Sequence, residues 1–237
     1  MKPVAIFRFN QIEGPGYFVD YLDQQGISWV LIAMDRGDAV PAEASAYAGI
    51  CLMGGSMSVN DPLPWIEPVC ALVRDAVARG VPVIGHCLGG QLMSRGLGGR
   101  VIRNAVKEIG WSTIEAQPVP VASEWLGAFS GSPMTVFQWH GETFSIPEGA
   151  TLLAGNAFCA HQMFVMGPHF GMQCHLEMTP AMISDWCGHW EGETLNETAR
   201  AAIQTPAQIH HLLPGALSAL RRLADQVYGQ WAKALVV

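Results

Sequence analysis

Short apolar segments alternate with amphipathic ones along the first hundred residues of the chain. The apolar segments have the length and the hydrophobicity of strands, and they fall at residues 3–9, 28–34, 49–53 and 81–85. The last of them is apolar at consecutive positions, as expected for a parallel strand that is covered on both faces of a sheet. Residues 17–25 and 64–79 have the pattern of helices, and each is followed by a glycine, Gly26 or Gly80. This alternation predicts a doubly wound α/β sheet.

The pattern changes after residue 100. Strand-like segments now follow one another without helices between them, at residues 111–117, 134–140, 158–166 and 169–177. Such a series predicts strands and hairpins that extend the sheet beyond its parallel core. We therefore expect an α/β fold with three layers and a mostly parallel central sheet.

The C-terminal part of the chain has a helical pattern. Thr179 and Thr205 are each followed by proline, which supplies an N-cap and a proline in the first helical turn. An apolar stripe marks the last helix and consists of Leu217, Leu220, Ala224, Val227 and Trp231. We expect the stripe to pack on the body of the protein, with a homodimer or partner surface as the alternative. The predicted organisation is one α/β domain over residues 1–190 and a helical extension over residues 191–237, packed on the same domain.

Composition and charge narrow the range of functions. The chain has 237 residues, of which half are hydrophobic and 14% are charged, so it can bury a full α/β core. The net charge of −7, without any cluster of Lys and Arg, argues against nucleic acid as a partner. Residues 149–176 carry no Asp, Glu, Lys or Arg, but their polar side chains alternate as in a strand, so we expect no membrane span.

Cysteine usage indicates the compartment. The six cysteines lack the paired C-x-x-C spacing of metal knuckles and redox motifs. Arg8 interrupts the first apolar segment before the core of a signal peptide could form. We expect free thiols in a reducing cytosol, and therefore a cytoplasmic protein, in which most cysteines are small core residues.

One cysteine occupies a different setting. Residues 83–91 read Val-Ile-Gly-His-Cys-Leu-Gly-Gly-Gln and combine a buried strand, a G-x-C-x-G turn and the start of a helix. A sharp strand-to-helix turn lifts one side chain clear of the sheet and needs glycines beside it, because a Cβ atom there would clash. The N-terminus of the following helix favours an anion, and the thiolate of Cys87 is the reactive form of the side chain. The turn therefore indicates a nucleophile, although a turn that only packs a helix or holds a phosphate stays an alternative.

A candidate base comes from the last strand-like segment. Polar and apolar residues alternate over residues 169–177, which predicts His175 and Glu177 on the same side of a strand. A carboxylate in that place can hold one imidazole nitrogen while the other nitrogen faces a thiolate. Because a helix starts soon afterwards, the pair should lie at the carboxyl edge of the sheet, where open α/β sheets bind ligands. A metal site of Cys87, His140, His175 and Glu177 is the rival interpretation, but no pair of them has the usual ligand spacing.

These residues complete a resemblance to the class I glutamine amidotransferases, and in particular to stand-alone proteins similar to the glutaminase domain of GMP synthetase. The resemblance covers about residues 45–180 through four landmarks in the same order. They are residues 53–61 (MGGSMSVND), the turn of Cys87 through Gln91, residues 139–143 (WHGET) and residues 173–177 (QCHLE). The resemblance implies a flavodoxin-like sheet, no cofactor and no resident metal.

The resemblance also implies a role for each matching residue. Cys87 would attack the side-chain amide carbon of glutamine and form a γ-glutamyl thioester, with His175 as proton shuttle and Glu177 as its orienter. The backbone N–H groups of Gly55 and Leu88 would form the oxyanion hole. The substrate would be bound by Gly54, Gln91, Trp139, His140 and Gly141. Gln91 and His140 have an ordinary structural alternative, as a packing residue and as a satisfied polar residue on a strand edge.

Three departures from the family pattern stand out. Leu176 replaces the proline that is usual between the histidine and the glutamate, and we expect activity to survive because proline has no chemical role there. His86 stands where an aliphatic or aromatic residue is usual, and the sequence assigns it no role. No synthetase domain is expected in the remaining residues, which are too few to bind ATP and an acceptor.

Three functions remain open at this point. The first is a glutaminase component that passes ammonia to a separate synthetase or acceptor protein. The second is a self-sufficient γ-glutamyl hydrolase or peptidase that acts on γ-glutamyl conjugates. The third is a non-enzymatic role, in which the cysteine senses oxidants or the surface binds a partner.

Overall fold

The computed structural model describes residues 2–190 and 201–236. Its strands are β1 (Val4–Arg8), β2 (Trp29–Ala33), β3 (Gly49–Leu52), β4 (Val83–His86), β5 (Val101–Ala116), β6 (Met134–Phe144), β7 (Thr151–Gly155), β8 (Met163–Met166) and β9 (His169–Met172). The helices that lie wholly within the described residues are α1 (Tyr17–Gln24), α2 (Ile66–Arg79), α3 (Leu88–Gly96), α4 (Pro120–Leu126), α5 (Pro180–Gly188) and α6 (Pro206–Ala232).

All nine strands form one sheet, in the order β2-β1-β3-β4-β9-β8-β7-β5-β6. The first five strands of this order are parallel to one another and have the strand order of flavodoxin-like folds. The other four strands pair in antiparallel fashion and extend the sheet. The α/β fold predicted from the sequence is therefore confirmed.

Helices cover both faces of the sheet. Residues of β1 alternate between the two faces: Val4 and Ile6 join the core under α1 and α6, while Ala5 and Phe7 join the core under α2 and α3. Because every residue of β1 is buried on one face or the other, the strand is apolar at almost every position. Burial of this kind also explains the apolar segments of β3 and β4, whereas β2 is the edge strand and begins with the exposed residues Trp29 and Val30.

The helical C-terminal segment packs on the body of the protein, as expected. Thr205 forms a capping box with Gln208 at the start of α6, and Pro206 occupies its first turn. The apolar stripe is buried on the α1 side of the sheet, with Leu220, Ala224 and Trp231 inaccessible to solvent. The predicted start of the extension at residue 191 opens the segment 191–200, which lies outside the described residues, so the domain boundary stays a prediction.

Strand boundaries in the C-terminal half differ from the predictions. The strand expected over residues 169–177 ends at Met172, because the chain then leaves β9 and crosses to β6, where the His175 N–H donates to the carbonyl of Phe137 at 2.8 Å. The strand expected over residues 158–166 begins only at Met163, and β7 was not predicted. Residues 169–177 are nevertheless all buried, so the alternation of polar and apolar residues does not separate an exposed face from a buried one. The alternation instead reflects contacts with two different strands, β8 for residues 169–172 and β6 for His175.

Candidate active site

Cys87 lies at the junction of β4 and α3. Its φ of 49° and ψ of −106° make it the one non-glycine residue with positive φ in the part of the chain that the structure describes. The Cys87 N–H donates to the carbonyl of Met172 at 2.9 Å, and its own carbonyl accepts from the Gln91 N–H at 3.0 Å. A backbone in this region is unfavourable for a residue with a Cβ atom and is typical of functional turns. The strained turn predicted from the sequence is therefore present.

Glycines surround this turn because backbone approaches closely on several sides. A Cβ atom on Gly89 would lie 2.1 Å from the carbonyl oxygen of Leu52, and one on Gly90 would lie 2.4 Å from that of Met172. A Cβ atom on Gly85 would lie 2.5 Å from the carbonyl carbon of Gly89. These glycines let α3 start directly against β3 and β9, so the helix N-terminus lies next to Cys87.

His175 and Glu177 lie next to each other, although they follow the strand β9 and are not part of it. The Nδ1 atom of His175 is 2.6 Å from Oε1 of Glu177, and both side chains are buried. The Glu177 carbonyl accepts a hydrogen bond from the Tyr17 N–H at the start of α1, at 2.8 Å. The ring of Trp186 from α5 packs edge-on against the imidazole, with centroids 4.9 Å apart. Residues from α1 and α5 thus hold the pair in place.

Electrostatics favour a protonated imidazole beside an ionised carboxylate. Burial alone would lower the pKa of His175, but Glu177 and the nearby sulfur of Cys87 outweigh it and raise that pKa well above its ordinary value. Burial alone would raise the pKa of Glu177, but His175 and His86 outweigh it and lower that pKa. The Nε2 atom of His175 makes no well-aligned hydrogen bond with the described residues, while Cys87 is close enough to interact with the ring.

A chain of amides leads from the helix α3 to the sulfur. Gln91 Nε2 donates to Gln173 Oε1 at 3.1 Å, and Gln173 Nε2 donates to the sulfur of Cys87 at 3.4 Å. Both glutamines are buried. Gln91, which was predicted as a substrate contact, lies one helical turn beyond Cys87. Its hydrogen bond orients the side chain of Gln173, and Gln173 in turn contacts the sulfur.

The turn at Gly54 and Gly55 closes over the site from β3. A Cβ atom on Gly54 would lie 3.0 Å from Cε1 of His175, and one on Gly55 would lie 2.5 Å from Cδ2 of Leu88. Only glycine fits between these side chains, so the sequence allows the turn to approach both the imidazole and the start of α3. The structure thus brings the residues predicted for the oxyanion hole into contact.

A cleft of about 640 Å³ opens above Cys87. Six predicted site residues line it: Gly55, Cys87, Gln91, Trp139, His140 and Gly141. His175 and Glu177 are 1% exposed and are not among the residues that line the cleft. Trp190, Arg103 and Glu142 also line the cleft. The volume falls in the range of pockets that hold ligands larger than one amino acid.

His140 is fixed by a buried polar network. Its Nε2 atom is 3.1 Å from Oε2 of Glu108, and its Nδ1 atom is 2.9 Å from the carbonyl oxygen of Glu142. Glu108 also accepts hydrogen bonds from Asn156 at 2.7 Å and from Gln162 at 2.8 Å. Three amide or imidazole groups thus surround the carboxylate, and the part of β6 that carries His140 and Gly141 is held rigidly.

The rival metal site can be compared with the observed clusters. The group of possible ligands found among the described residues is Glu108, His140 and Cys159, whose candidate ligand atoms lie within 4.8 Å of one another. This set shares only His140 with the four residues considered from the sequence. Because Glu108 already accepts three hydrogen bonds, the cluster is better described as a hydrogen-bonded network than as a metal site.

Sequence reasoning missed three side chains that contact the site. Gln173 touches the sulfur, and Trp186 packs on the imidazole. The carboxylate of Glu13 comes within 2.8 Å of the position that a Cβ atom on Gly54 would occupy, on the same side as His175. Gln173 could have been found from its place in the segment 173–177, but Glu13 and Trp186 lie far away in the sequence and carry no motif.

Comparison with known proteins defines the class of protein. The profile of the family glutamine amidotransferase class-I matches residues 18–183. The chain therefore belongs to the class I glutamine amidotransferases, and the resemblance predicted from the four landmarks is confirmed. Among the helices of the described ranges 2–190 and 201–236, none combines the length and the apolar character needed to cross a bilayer.

Particular relatives share most of the chain. A glutamine amidotransferase from Methylobacillus flagellatus is similar in structure, with a TM-score of 0.94, 42% identity and coverage of 100% of this chain and 96% of that one. The glutamine amidotransferase-like protein YfeJ of Salmonella typhimurium is 28% identical over 84% of this chain and 86% of that protein. Gamma-glutamyl peptidase 3 of Arabidopsis thaliana is 28% identical over 65% of this chain and 64% of that protein.

A longer relative matches only in part. The glutamine-hydrolyzing GMP synthase of Alteromonas mediterranea is 34% identical over a region that covers 55% of this chain and 25% of that protein. The likeness is therefore to one part of the synthase.

Proposed function

We propose that the protein hydrolyses the side-chain amide of glutamine through a γ-glutamyl thioester on Cys87 and that the ammonia passes to a separate synthetase or acceptor protein. The observation that carries this proposal is the arrangement of Cys87 on a strained turn beside His175, whose other ring nitrogen is 2.6 Å from Glu177. Sulfur, imidazole and carboxylate in this order are the components of a nucleophile activated by a base. The proposal places the protein in the cytoplasm, where unpaired cysteines persist, and all six of its cysteines are free.

The proposed reaction has two halves. In the first, the thiolate of Cys87 attacks the amide carbon, the bond from carbon to nitrogen breaks, and His175 gives its proton to the departing ammonia. In the second, water attacks the thioester, gives a proton to His175 and releases glutamate and the thiolate. Glu177 stays ionised throughout and stabilises the imidazolium, consistent with its lowered pKa.

Other residues have supporting roles in this proposal. The backbone N–H groups of Gly55 and Leu88 stabilise the oxyanion of both tetrahedral intermediates. Gly54, Gln91, Trp139, His140 and Gly141 bind the glutamyl part of the substrate. The assignments of Gly55, Gln91, Trp139, His140 and Gly141 are supported by their position on the wall of the cleft, which Gly54 and Leu88 do not line.

A second candidate function is hydrolysis of γ-glutamyl conjugates by the same groups. The cleft of about 640 Å³ favours it, because glutamine alone would leave much of that space empty. The similarity to gamma-glutamyl peptidase 3 points the same way.

One experiment tests both candidates. Purified protein is incubated with glutamine and with γ-glutamyl amides of increasing leaving-group size, and released ammonia or amine is measured beside a Cys87→Ala control. Slow glutamine turnover that rises with a synthetase partner supports the first candidate, and preference for large leaving groups supports the second. Intact mass should reveal a γ-glutamyl adduct on the wild-type protein only. Equal product release from both proteins would overturn the enzymatic proposal and favour a binding or sensing role.

A further inference from the structure

One carboxylate oxygen at the site has no ordinary partner. Oε1 of Glu177 bonds to His175, but Oε2 is buried and has no hydrogen-bond partner among the described residues. A buried, charged oxygen without a donor is costly, so such an atom in a folded protein needs an explanation. The polar side-chain atom found beside it is Nε2 of His86, at 3.8 Å.

His86 is itself held by the last helix of the chain. Its Nε2 atom is 3.0 Å from the hydroxyl oxygen of Tyr228 on α6, and both side chains are fully buried. The rings of His86 and Tyr228 meet edge-on at 5.8 Å, and the ring of Phe18 from α1 contacts both. The groups that face the imidazole are Tyr228 from α6, Glu177 beside α5, and the sulfur of Cys51 from β3 at 3.8 Å. The imidazole of His175 and the backbone of Leu52 at the end of β3 also act on the ring.

We infer that His86 and Tyr228 are positioning residues, which hold Glu177 from its second oxygen so that its first oxygen stays aligned with His175. His86 is the last residue of β4 and directly precedes Cys87. Its ring lies on the face of the sheet opposite to the core that α2 and α3 cover, and on that face it lies next to Glu177. The inference explains why a polar residue occupies this buried strand position. It rests on the proposed function, because positioning matters only if Cys87, His175 and Glu177 act together.

Burial and Glu177 act on the ring of His86 in opposite directions. Burial lowers the pKa of His86, and Glu177 only partly opposes this effect. Removing the ring, or the hydroxyl that anchors it, should loosen Glu177 and weaken the stabilisation of the His175 imidazolium.

The test measures the reactivity of Cys87 without any substrate. Iodoacetamide alkylation of Cys87 is followed by mass spectrometry over a range of pH in the wild-type protein, Tyr228→Phe, His86→Leu and His86→Gln. In Tyr228→Phe and His86→Leu we expect the midpoint of alkylation to move to higher pH by about one unit, with roughly tenfold lower kcat and unchanged KM. His86→Gln keeps an amide near the place of Nε2 and should fall between His86→Leu and the wild type.

Tyr21→Phe is the matched control. Tyr21 is buried against the ring of Tyr228, with centroids 5.6 Å apart, but its hydroxyl forms no hydrogen bond with His86 or Glu177 in the part of the chain that the structure describes. Its alkylation profile should equal that of the wild type, and melting temperatures establish that each variant folds. Wild-type profiles in both folded Tyr228→Phe and folded His86→Leu would overturn the inference. Shifted profiles in a protein that hydrolyses no γ-glutamyl amide would instead refute the proposed function and leave the inference standing.

Discussion

Cys87 adopts a backbone conformation that is unfavourable for any residue except glycine. A positive φ at such a residue costs about 1–3 kcal/mol, and the surrounding contacts must impose it. Here the backbone bond to Met172 and the close packing of Gly85 and Gly89 do so. This conformation lets the side chain of Cys87 reach the cleft while the residues beside it in the chain stay in the core.

Glu13 is a carboxyl group that the proposed mechanism does not use. It lies in the loop between β1 and α1, near His175 and Glu177. Burial raises its pKa from 4.5 to about 7, although His175 partly opposes that effect. Between pH 4.5 and about pH 7, Glu13 is therefore protonated in the folded protein and ionised in the unfolded chain.

The protonation of Glu13 predicts how stability depends on pH. Because the folded state binds the extra proton, the free energy of unfolding should fall as pH rises from about 4.5 to about 7. Glu13→Gln removes this titration, so we expect the variant to be more stable than the wild type at pH 8, by on the order of 2 kcal/mol, and similar at pH 4.5. Urea unfolding at both pH values measures the difference.

The control for this prediction is Glu148→Gln, because Glu148 is exposed in a turn. Its effect should be small and independent of pH. An equal gain from Glu13→Gln at pH 4.5 and pH 8 would mean that the carboxyl is not protonated in the folded protein, and the prediction would be wrong.

At the scale of single residues, the sequence was informative where a side chain sits in a local motif. Cys87 and Gln91 share one turn, and His175 and Glu177 are two residues apart, so local geometry already related them. Tyr228 meets His86 across 142 positions of the chain, and no local pattern can reveal such a contact. The partner of His86 therefore required the fold.

The junction of β4 and α3 shows how glycine serves an element. Gly89 is the second residue of α3, and its Cα atom faces the carbonyl of Leu52 on β3. Gly215 lies inside α6, where a Cβ atom would meet nothing within 4 Å. The same substitution at these two helical glycines should therefore have opposite effects.

We predict that Gly89→Ala destabilises the protein and Gly215→Ala stabilises it. The first should cost about 3 kcal/mol or more, since the new methyl group would lie 2.1 Å from a backbone oxygen that cannot easily move. The second should add about 0.5–1 kcal/mol, because alanine favours the helix. Chemical denaturation measures both, and a stabilising Gly89→Ala would contradict the close approach of α3 to β3.

Elements of the parallel half were easier to predict than those of the antiparallel half. β1, β3 and β4 are buried on both faces and separated by helical segments, so their pattern stands apart from its surroundings. β5 runs for 16 residues and shifts register between Arg103 and Glu108, which breaks the alternation that a prediction needs. Beyond Met172 the chain changes partner from β8 to β6, and alternation continues although the strand has ended.

At the scale of the whole molecule, α6 connects the C-terminal segment to the core. It packs on the same face as α1 and covers the ends of β1 and β3, where a Cβ atom on Gly49 would lie 2.9 Å from the ring of Trp231. Its capping box and initial proline fix where it begins. The helix is therefore part of the single fold and also supplies Tyr228 behind Glu177.

Trp231→Ala tests whether the fold depends on α6. Trp231 is inaccessible to solvent, and removing its ring should cost about 3–5 kcal/mol through lost burial and the cavity left behind. Leu212→Ala on the same helix is the matched control, since Leu212 is 43% exposed and should change stability by less than about 0.5 kcal/mol. Because α6 joins the common core, Trp231→Ala should lower a single unfolding transition detected by both circular dichroism and cleft tryptophan fluorescence. Two separate transitions would indicate that α6 folds independently of the sheet, and Tyr228 could then not hold His86 in a fixed place.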